Sequence, residues 1–124
     1  MPSVKPQIAF PEYDKIEVRV GTITAATVPE GSNKLIQFTV DFGPADAEAM
    51  AGEGREIRTI FSGIKEWYTP EELVGVKTAW VTNIPPKKTP FGDSNGMLFA
   101  CDTSEGKPYL IRFPENVPVG SVFH

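Results

Sequence analysis

The sequence predicts an all-β fold: a five-stranded OB-fold barrel with a small helix between its third and fourth strands. Three observations predict it. Five or six short segments alternate apolar and polar residues, a glycine falls inside the first of them, and the grammar of a helix start stands between the third and the fourth. Periodicity alone leaves a β-sandwich as the competitor.

Ahead of the first strand, Ala9 to Lys15 (AFPEYDK) has room for one helical turn, with Pro11 tolerated only in its first turn. Ile16 to Thr27 (IEVRVGTITAAT) is the longest alternating run. Ile16, Val18 and Val20 share one face and Glu17 and Arg19 the other, as in a half-buried strand. Gly21, inside that strand, signals a bulge or a sharp bend that lets a sheet close. Leu35 to Phe42 (LIQFTVDF) and Glu56 to Phe61 (EIRTIF) read as the next two strands. Between them, segment 43–54 (GPADAEAMAGEG) reads as a mobile acidic loop, a short helix over ADAEAMA being the alternative. Thr69 as N-cap, Pro70 at the first position, Glu72 three residues past the cap and Gly75 as the stop spell a short helix. Lys77 to Asn83, Met97 to Asp102 and Pro108 to Phe113 complete the strands, separated by the turn-rich PPKKTPFGDSNG and TSEGK.

The chain has 124 residues, a length expected to make a single domain over 1–124, with 7–15 and 114–124 as terminal extensions. Hydrophobic residues at 40% and charged residues at 23% exclude a disordered or fibrous chain. The net charge of −4 argues against a polybasic nucleic-acid arm, but it is concentrated. Segment 41–56 holds Asp41, Asp46, Glu48, Glu53 and Glu56 against Arg55 alone, and elsewhere eleven acids balance eleven bases. A basic face is therefore compatible with the total. One cysteine, Cys101, leaves no disulfide framework or multi-cysteine zinc site, so neither a metal nor a cofactor is expected. The one histidine, His124, ends the chain, so Ser-His-Asp and Cys-His chemistries lack a well-placed base and an enzyme is not expected. Asp93 and Asp102 are the remaining carboxylate pair to consider, and nothing in the sequence places them together. No apolar run has the length of a membrane span, and Pro2, Lys5 and Pro6 interrupt any signal-peptide core, so a cytoplasmic location is expected. Met1 and a full set of strands read as a self-contained chain.

The chemistry that remains is binding. Lys34 follows the first strand, Arg58 lies in the third, Lys65 just after it, and Lys87 and Lys88 in the PPKK turn after the fourth. In an OB barrel the loops after strands one and four border one face, where such folds hold oligonucleotides and oligosaccharides. Lysines there act as mobile charges for phosphates. Spacing alone favours a merely solvated surface. Ser94 and Met97, in GDSNGML, offer a hydroxyl and a thioether to a base, or else a hairpin turn followed by a core methionine. Trp67 and Phe91 are candidates for base stacking, while Trp80 reads as core and Tyr68 as packing beside the small helix.

Several ordered strings carry a resemblance. YDKIEVRVGTI (Tyr13 to Ile23), NKL (Asn33 to Leu35), VDFG (Val40 to Gly43), IFSGIKEWYTPEELVG (Ile60 to Gly75), NIPPKK (Asn83 to Lys88) and SNGM (Ser94 to Met97) resemble the tRNA-binding domain family, from about Ile8 to Val122. That family includes the C-terminal domain of many bacterial methionyl-tRNA synthetases, stand-alone tRNA-binding proteins, the chaperone CsaA and the endothelial monocyte-activating polypeptide. The resemblance implies an OB-fold homodimer that grips tRNA by shape and phosphate contacts, without catalysis, alone or as a trans-acting aid to an aminoacyl-tRNA synthetase. It implies RNA-binding roles for Arg19, Asn33, Lys34, Arg58, Lys87, Lys88, Ser94 and Met97, and dimer contacts at Ile8, Phe10, Tyr13, Val117, Val119 and Val122. Gly31 and Asn33 depart from the asparagine and aspartate common in the first loop. The acidic balance and the double proline of NIPPKK favour, as the alternative, a CsaA-like chaperone for unfolded or preprotein segments.

Overall fold

The computed structural model describes residues 3–44 and 54–124. Alternating apolar residues lay down β1 (Val18–Thr27), β2 (Ile36–Pro44), β3 (Arg55–Ser62) and β4 (Lys77–Val81). A hairpin of β5 (Lys87–Thr89) and β6 (Gly92–Ser94) follows, then β7 (Met97–Leu98) and a ribbon of β8 (Ala100–Asp102) and β9 (Pro108–Leu110). Strands β3-β2-β1-β4-β7, in that order, form one antiparallel sheet. The sheet curls until β3 meets the chain after β6. There the Asn95 amide donates to the Thr59 carbonyl at 2.9 Å and the Phe61 amide to Ser94 Oγ at 3.0 Å. This is the predicted OB-type barrel.

Two short helices sit where the sequence places them. α1 (Phe10–Tyr13) starts from Ala9, with Pro11 in its first turn. α2 (Pro70–Leu73) starts from Thr69, whose amide and hydroxyl both donate to Glu72 Oε2 at 2.9 Å. Those bonds hold the Glu72 carboxyl below its usual range. α2 delivers Leu73 to the barrel interior, and the chain then locks onto β1: the Gly75 amide donates to the Ile23 carbonyl and the Ile23 amide to the Val76 carbonyl. Among the described residues no helix is long and apolar enough to cross a membrane.

The interior is filled by Ile23, Ile36, Phe38, Val40, Phe42, Ile60, Leu73, Trp80 and Leu98, each a burial that contributes on the order of 1.5–3 kcal/mol. Trp80, read as core, is fully buried, stands edge-on to Phe38, and donates from Nε1 to the Gly21 carbonyl at 3.1 Å. Tyr68 packs in the same core and donates from its hydroxyl to the Pro108 carbonyl.

Four local expectations are corrected. Strand β1 is not half-buried in its first half, because both of its faces are covered. Val18 joins Ala79 and Val81 under Ile111 and Phe113 on the outside, while Arg19 faces the barrel end. The C-terminal segment pairs along β1, with Val20 exchanging backbone bonds with Gly120 and Ser121, and the Phe123 amide donating to Val18. Of the bulge or bend expected at Gly21, the bulge is not there, since Gly21 stays in register with Thr78; the register shift lies between Ile23 and Ala25. Hairpin turn chemistry falls at Pro90 and Phe91, not over Asp93 to Gly96: Thr89 Oγ1 accepts from the Phe91 amide and donates to the Gly92 carbonyl. The strand expected over Met97 to Asp102 divides at Phe99, its first half pairing with β4 and its second with β9. Of the expected mobile loop 43–54, residues 45–53 lie outside the described residues.

Gly21 is needed for space. A Cβ there would stand 2.7 Å from both Phe42 Cε1 and Val40 Cγ1. Gly21→Ala is expected to cost about 1–3 kcal/mol through displacement of these core side chains, seen as a lower urea midpoint at unchanged slope.

Candidate nucleic-acid interface

On the side where β3 returns to the chain after β6, three shallow grooves share wall residues. The central groove is lined by Leu35, Ile84 and Lys87, with Ser62, Gly63, Gly96 and Met97 among its remaining lining. Through Ser62, Gly63 and Met97 it shares walls with a groove that reaches Trp67 and Gly106. Ile84 also belongs to the third, which reaches Arg58, Thr82 and Asn95. The loop after β1 and the hairpin after β4 therefore both border one concave surface.

The loop after β1 is held by its own turn. Gly31 takes a φ of +85°, and the Leu35 amide donates to Ser32 Oγ at 2.9 Å. Lys65, just after β3, secures it from outside: its amide donates to the Lys34 carbonyl and its Nζ to the Ser32 carbonyl. Asn33 and Lys34 are thus presented exposed on a fixed loop. Beside the same groove, Lys87 and Lys88 are exposed on β5, paired across the hairpin with Ser94 and Asp93. Phe91, at the hairpin tip, is half-buried, and the neighbouring Gly92 lies against the Phe61 ring.

Arg19 and Arg58 are placed differently, inside one end of the barrel. Arg19 Nη1 donates to both oxygens of Glu56 at 3.1 and 3.0 Å, and Arg58 Nε donates to Glu56 Oε2 at 2.7 Å. Arg58 Nη1 also donates to the carbonyls of Thr82 and Asn95. Both guanidinium groups lie over the Phe42 ring, 5.1 and 5.5 Å from its centre. The two arginines are committed to a clamp that joins β1, β3 and the ends of β4 and β6. Burial alone would raise the Glu56 pKa, but the hydrogen bonds and charges of Arg19 and Arg58 outweigh it and hold the carboxyl below its usual range.

Ser94 is buried, its hydroxyl accepting from Phe61 and donating to the Gly96 carbonyl, so it fixes the chain that leads to Met97. Met97 itself is half-exposed at the centre of the concave surface. At the ends of the chain, Ile8, Phe10 and Tyr13 are exposed on and around α1. Val117 and Val119 are half-buried within the chain, Val119 lying over Gly43, and Val122 is exposed beside Arg19.

Some participants had no functional reading in the sequence. Glu56 was one acid among five, although its i, i+2 spacing from Arg58 on a strand does put both on one face. Ile84, Gly63 and Asn95 enter the grooves only because the hairpin folds back toward β3.

A curled barrel with two cationic loops bordering a groove is the architecture of an OB-type nucleic-acid-binding domain. Residues 18–122 match the family model of the tRNA binding domain, and the chain belongs to that family. It is 42% identical over 109 residues to the methionine–tRNA ligase of Ralstonia nicotianae, covering 86% of this chain and 14% of that protein. The Cupriavidus metallidurans enzyme is 43% identical over 100 residues, 81% of this chain and 13% of the enzyme. The chain thus corresponds to about one seventh of these relatives' length. Among solved structures, a MetRS related protein from Pyrococcus horikoshii superposes with a TM-score of 0.82 at 38% identity, covering 97% of this chain and all of that one. The chaperone CsaA of Bacillus anthracis shares the fold, with a TM-score of 0.77 at 23% identity over 96% of this chain and all of that one.

Neutralising Glu56 is expected to destabilise the chain. Glu56→Gln leaves two part-buried guanidinium groups without their counter-charge, a loss of roughly 1–3 kcal/mol by urea denaturation near neutral pH. Because the folded pKa of Glu56 lies below its unfolded value, its contribution is complete above the unfolded pKa and is lost as pH falls through the folded one. The gap between wild type and variant should therefore narrow in acid.

Proposed function

We propose that this chain is a non-catalytic RNA-binding protein that holds tRNA through phosphate contacts across its concave face, as a homodimer. The observation that carries the reading is the groove that Leu35 and Lys87 both line, beside which stand the Lys34 loop and the Lys87–Lys88 strand. Two clusters of flexible ammonium groups on a rigid frame suit a phosphate backbone, and they give affinity and orientation without reading sequence. Membership of the tRNA binding domain family makes tRNA the structured RNA of choice. Direct contact is assigned to Asn33, Lys34, Lys87, Lys88 and Met97. Arg19, Arg58 and Ser94 act by holding the strands and the turn that position them. A synthetase that uses this domain in trans is a compatible partner, since the similar ligases carry it within their own chains.

The dimer face is assigned to the apolar outside of the barrel, where Tyr13, Ile16, Phe99 and Phe123 line one groove and all remain exposed. An apolar patch of this kind on a soluble surface marks a protein contact. A second copy covers it in this reading. The same patch favours the second reading, a chaperone gripping extended apolar segments, in the manner implied for a CsaA-like protein.

Anisotropy titration of labelled tRNA at several salt concentrations tests the interface. Lys87→Ala with Lys88→Ala should weaken binding several-fold and reduce the magnitude of the log–log salt slope by up to about 2, whereas a wild type that fails to bind tRNA at low salt would overturn the assignment. Light scattering tests the dimer: wild type is expected at twice the monomer mass and Ile16→Asp at the monomer mass. A monomeric wild type that suppresses aggregation of an unfolded protein would favour the chaperone reading instead.

A further inference from the structure

The groove beyond Met97 has features that phosphate binding does not use. It has a volume of about 360 Å³, with Trp67, Met97 and Ile64 in its walls and Gly63 and Gly106 leaving backbone open to it. Nothing lies within 4 Å of where a Gly63 Cβ would stand, and a Cβ on Gly106 would come 3.6 Å from Cζ2 of the Trp67 ring. Trp67 is 36% and Met97 51% exposed, which for an indole and a thioether is apolar surface left uncovered. Asp102 also lines this groove, exposed on β8 and without an ion pair among the described residues.

A carboxylate beside an RNA-binding surface opposes phosphate. A group that donates hydrogen bonds suits it better, and on RNA those donors are the edges of unpaired bases and the 2′-hydroxyls. The walls favour a base, because indole and thioether offer more contact area to a flat aromatic face than to a ribose. Guanine among the four bases presents two adjacent donors, N1–H and N2–H, on its Watson–Crick edge, matching the two oxygens of a carboxylate. Uracil presents one donor between two acceptors, and cytosine and adenine one exocyclic amine beside an acceptor. Two lysines lie close in sequence to residues that line the groove. Lys65 precedes Trp67 by two residues, and Lys107 lies between Gly106 and Pro108 with its Nζ 5.3 and 5.2 Å from the Tyr68 and Tyr109 rings. The groove is also continuous in its walls with the lysine-bordered groove, sharing Ser62, Gly63 and Met97.

We infer that this groove is a base pocket that takes one unpaired guanine of the bound RNA, packed between Trp67 and Met97 with its Watson–Crick edge on the Asp102 carboxylate. The inference rests on the RNA-binding reading above and adds to it a base preference that phosphate contacts cannot supply. An unpaired base costs less to extrude than a paired one, so loops and single-stranded ends are the segments that reach the pocket. Trp67 is the sensor of occupancy, because Trp80 is fully buried and the two tryptophans are all the chain has.

The test uses the whole protein and four RNA hairpins identical except for one unpaired loop base, G, A, C or U, with a fifth carrying inosine, which lacks the N2 amine. Anisotropy should show the guanine hairpin bound about tenfold more tightly than the A, C and U hairpins, inosine falling between, with quenching of Trp67 emission greatest for guanine. Asp102→Asn should bring the guanine hairpin down to the affinity of the others. Trp67→Phe should retain the preference, and Trp67→Ala reduce it. Equal affinity of wild type for all five hairpins, alongside salt-dependent tRNA binding, would overturn the base pocket and leave the RNA-binding reading standing. A preference that survives Asp102→Asn would overturn the pocket as well. Absence of any salt-dependent RNA binding would overturn both.

Discussion

The space that Gly21 leaves empty organises the rest of the barrel. Any side chain at that position would collide with Phe42 and Val40, and because there is none, the Phe42 ring can lean across the interior of the curled sheet. The ring then becomes the floor on which Arg19 and Arg58 lie, and their shared partner Glu56 ties β3 to β1 across the strand between them. Arg58 extends the tie to the backbone carbonyls of Thr82 and Asn95. A methyl group missing in one strand thus permits the contact that brings the third strand round to the chain after the hairpin. The grooves on that side exist because those two segments meet.

An ionic clamp in this position is a costly device. Three charged groups lose part of their hydration at the barrel end, and hydrophobic side chains of similar volume would often be as stable. Its geometry is more specific than a hydrophobic plug, however, since two guanidinium forks, one carboxylate and two carbonyls match in few arrangements. Arg58 of the clamp itself lines one of the three grooves, so specificity at the clamp is spent on the shape of the surface. The lysines are arranged by the opposite principle. Lys34, Lys87 and Lys88 are exposed on fixed backbones, with flexible side chains that can adapt to a curved phosphate chain.

Charge on this molecule is divided as the function requires. The total is acidic, which disfavours indiscriminate attachment to polyanions, yet the concave side carries cations on both loops. The outside of the barrel is treated as a second interior: the C-terminal segment covers Val18 and Val20 on β1, and the exposed apolar residues that remain, Ile16, Phe99 and Phe123, border its end. One face thus presents charge and the other apolar area.

Local signals sufficed for the elements themselves. Alternation located the first four strands of the sheet to within two residues at each end, the Thr69-Pro70-Glu72 sequence located α2, and ordered motifs carried the family, because turn chemistry, capping and side-chain period act over a few residues. The facing of Arg19 was beyond such signals, since alternation distinguishes two faces but not which is inside when the C-terminal segment covers one of them. So was the placement of Ser94, whose hydroxyl is consumed by an amide 33 residues away, and the pairing of Glu56 with an arginine 37 residues away. The grooves, too, are made of residues from β3, the hairpin and the ribbon that meet only after the sheet curls. What the chain is made of was decided by short-range physics that the sequence carries by itself; which of its charges are committed and which are available was decided by long-range closure of the barrel, which only the tertiary structure contains.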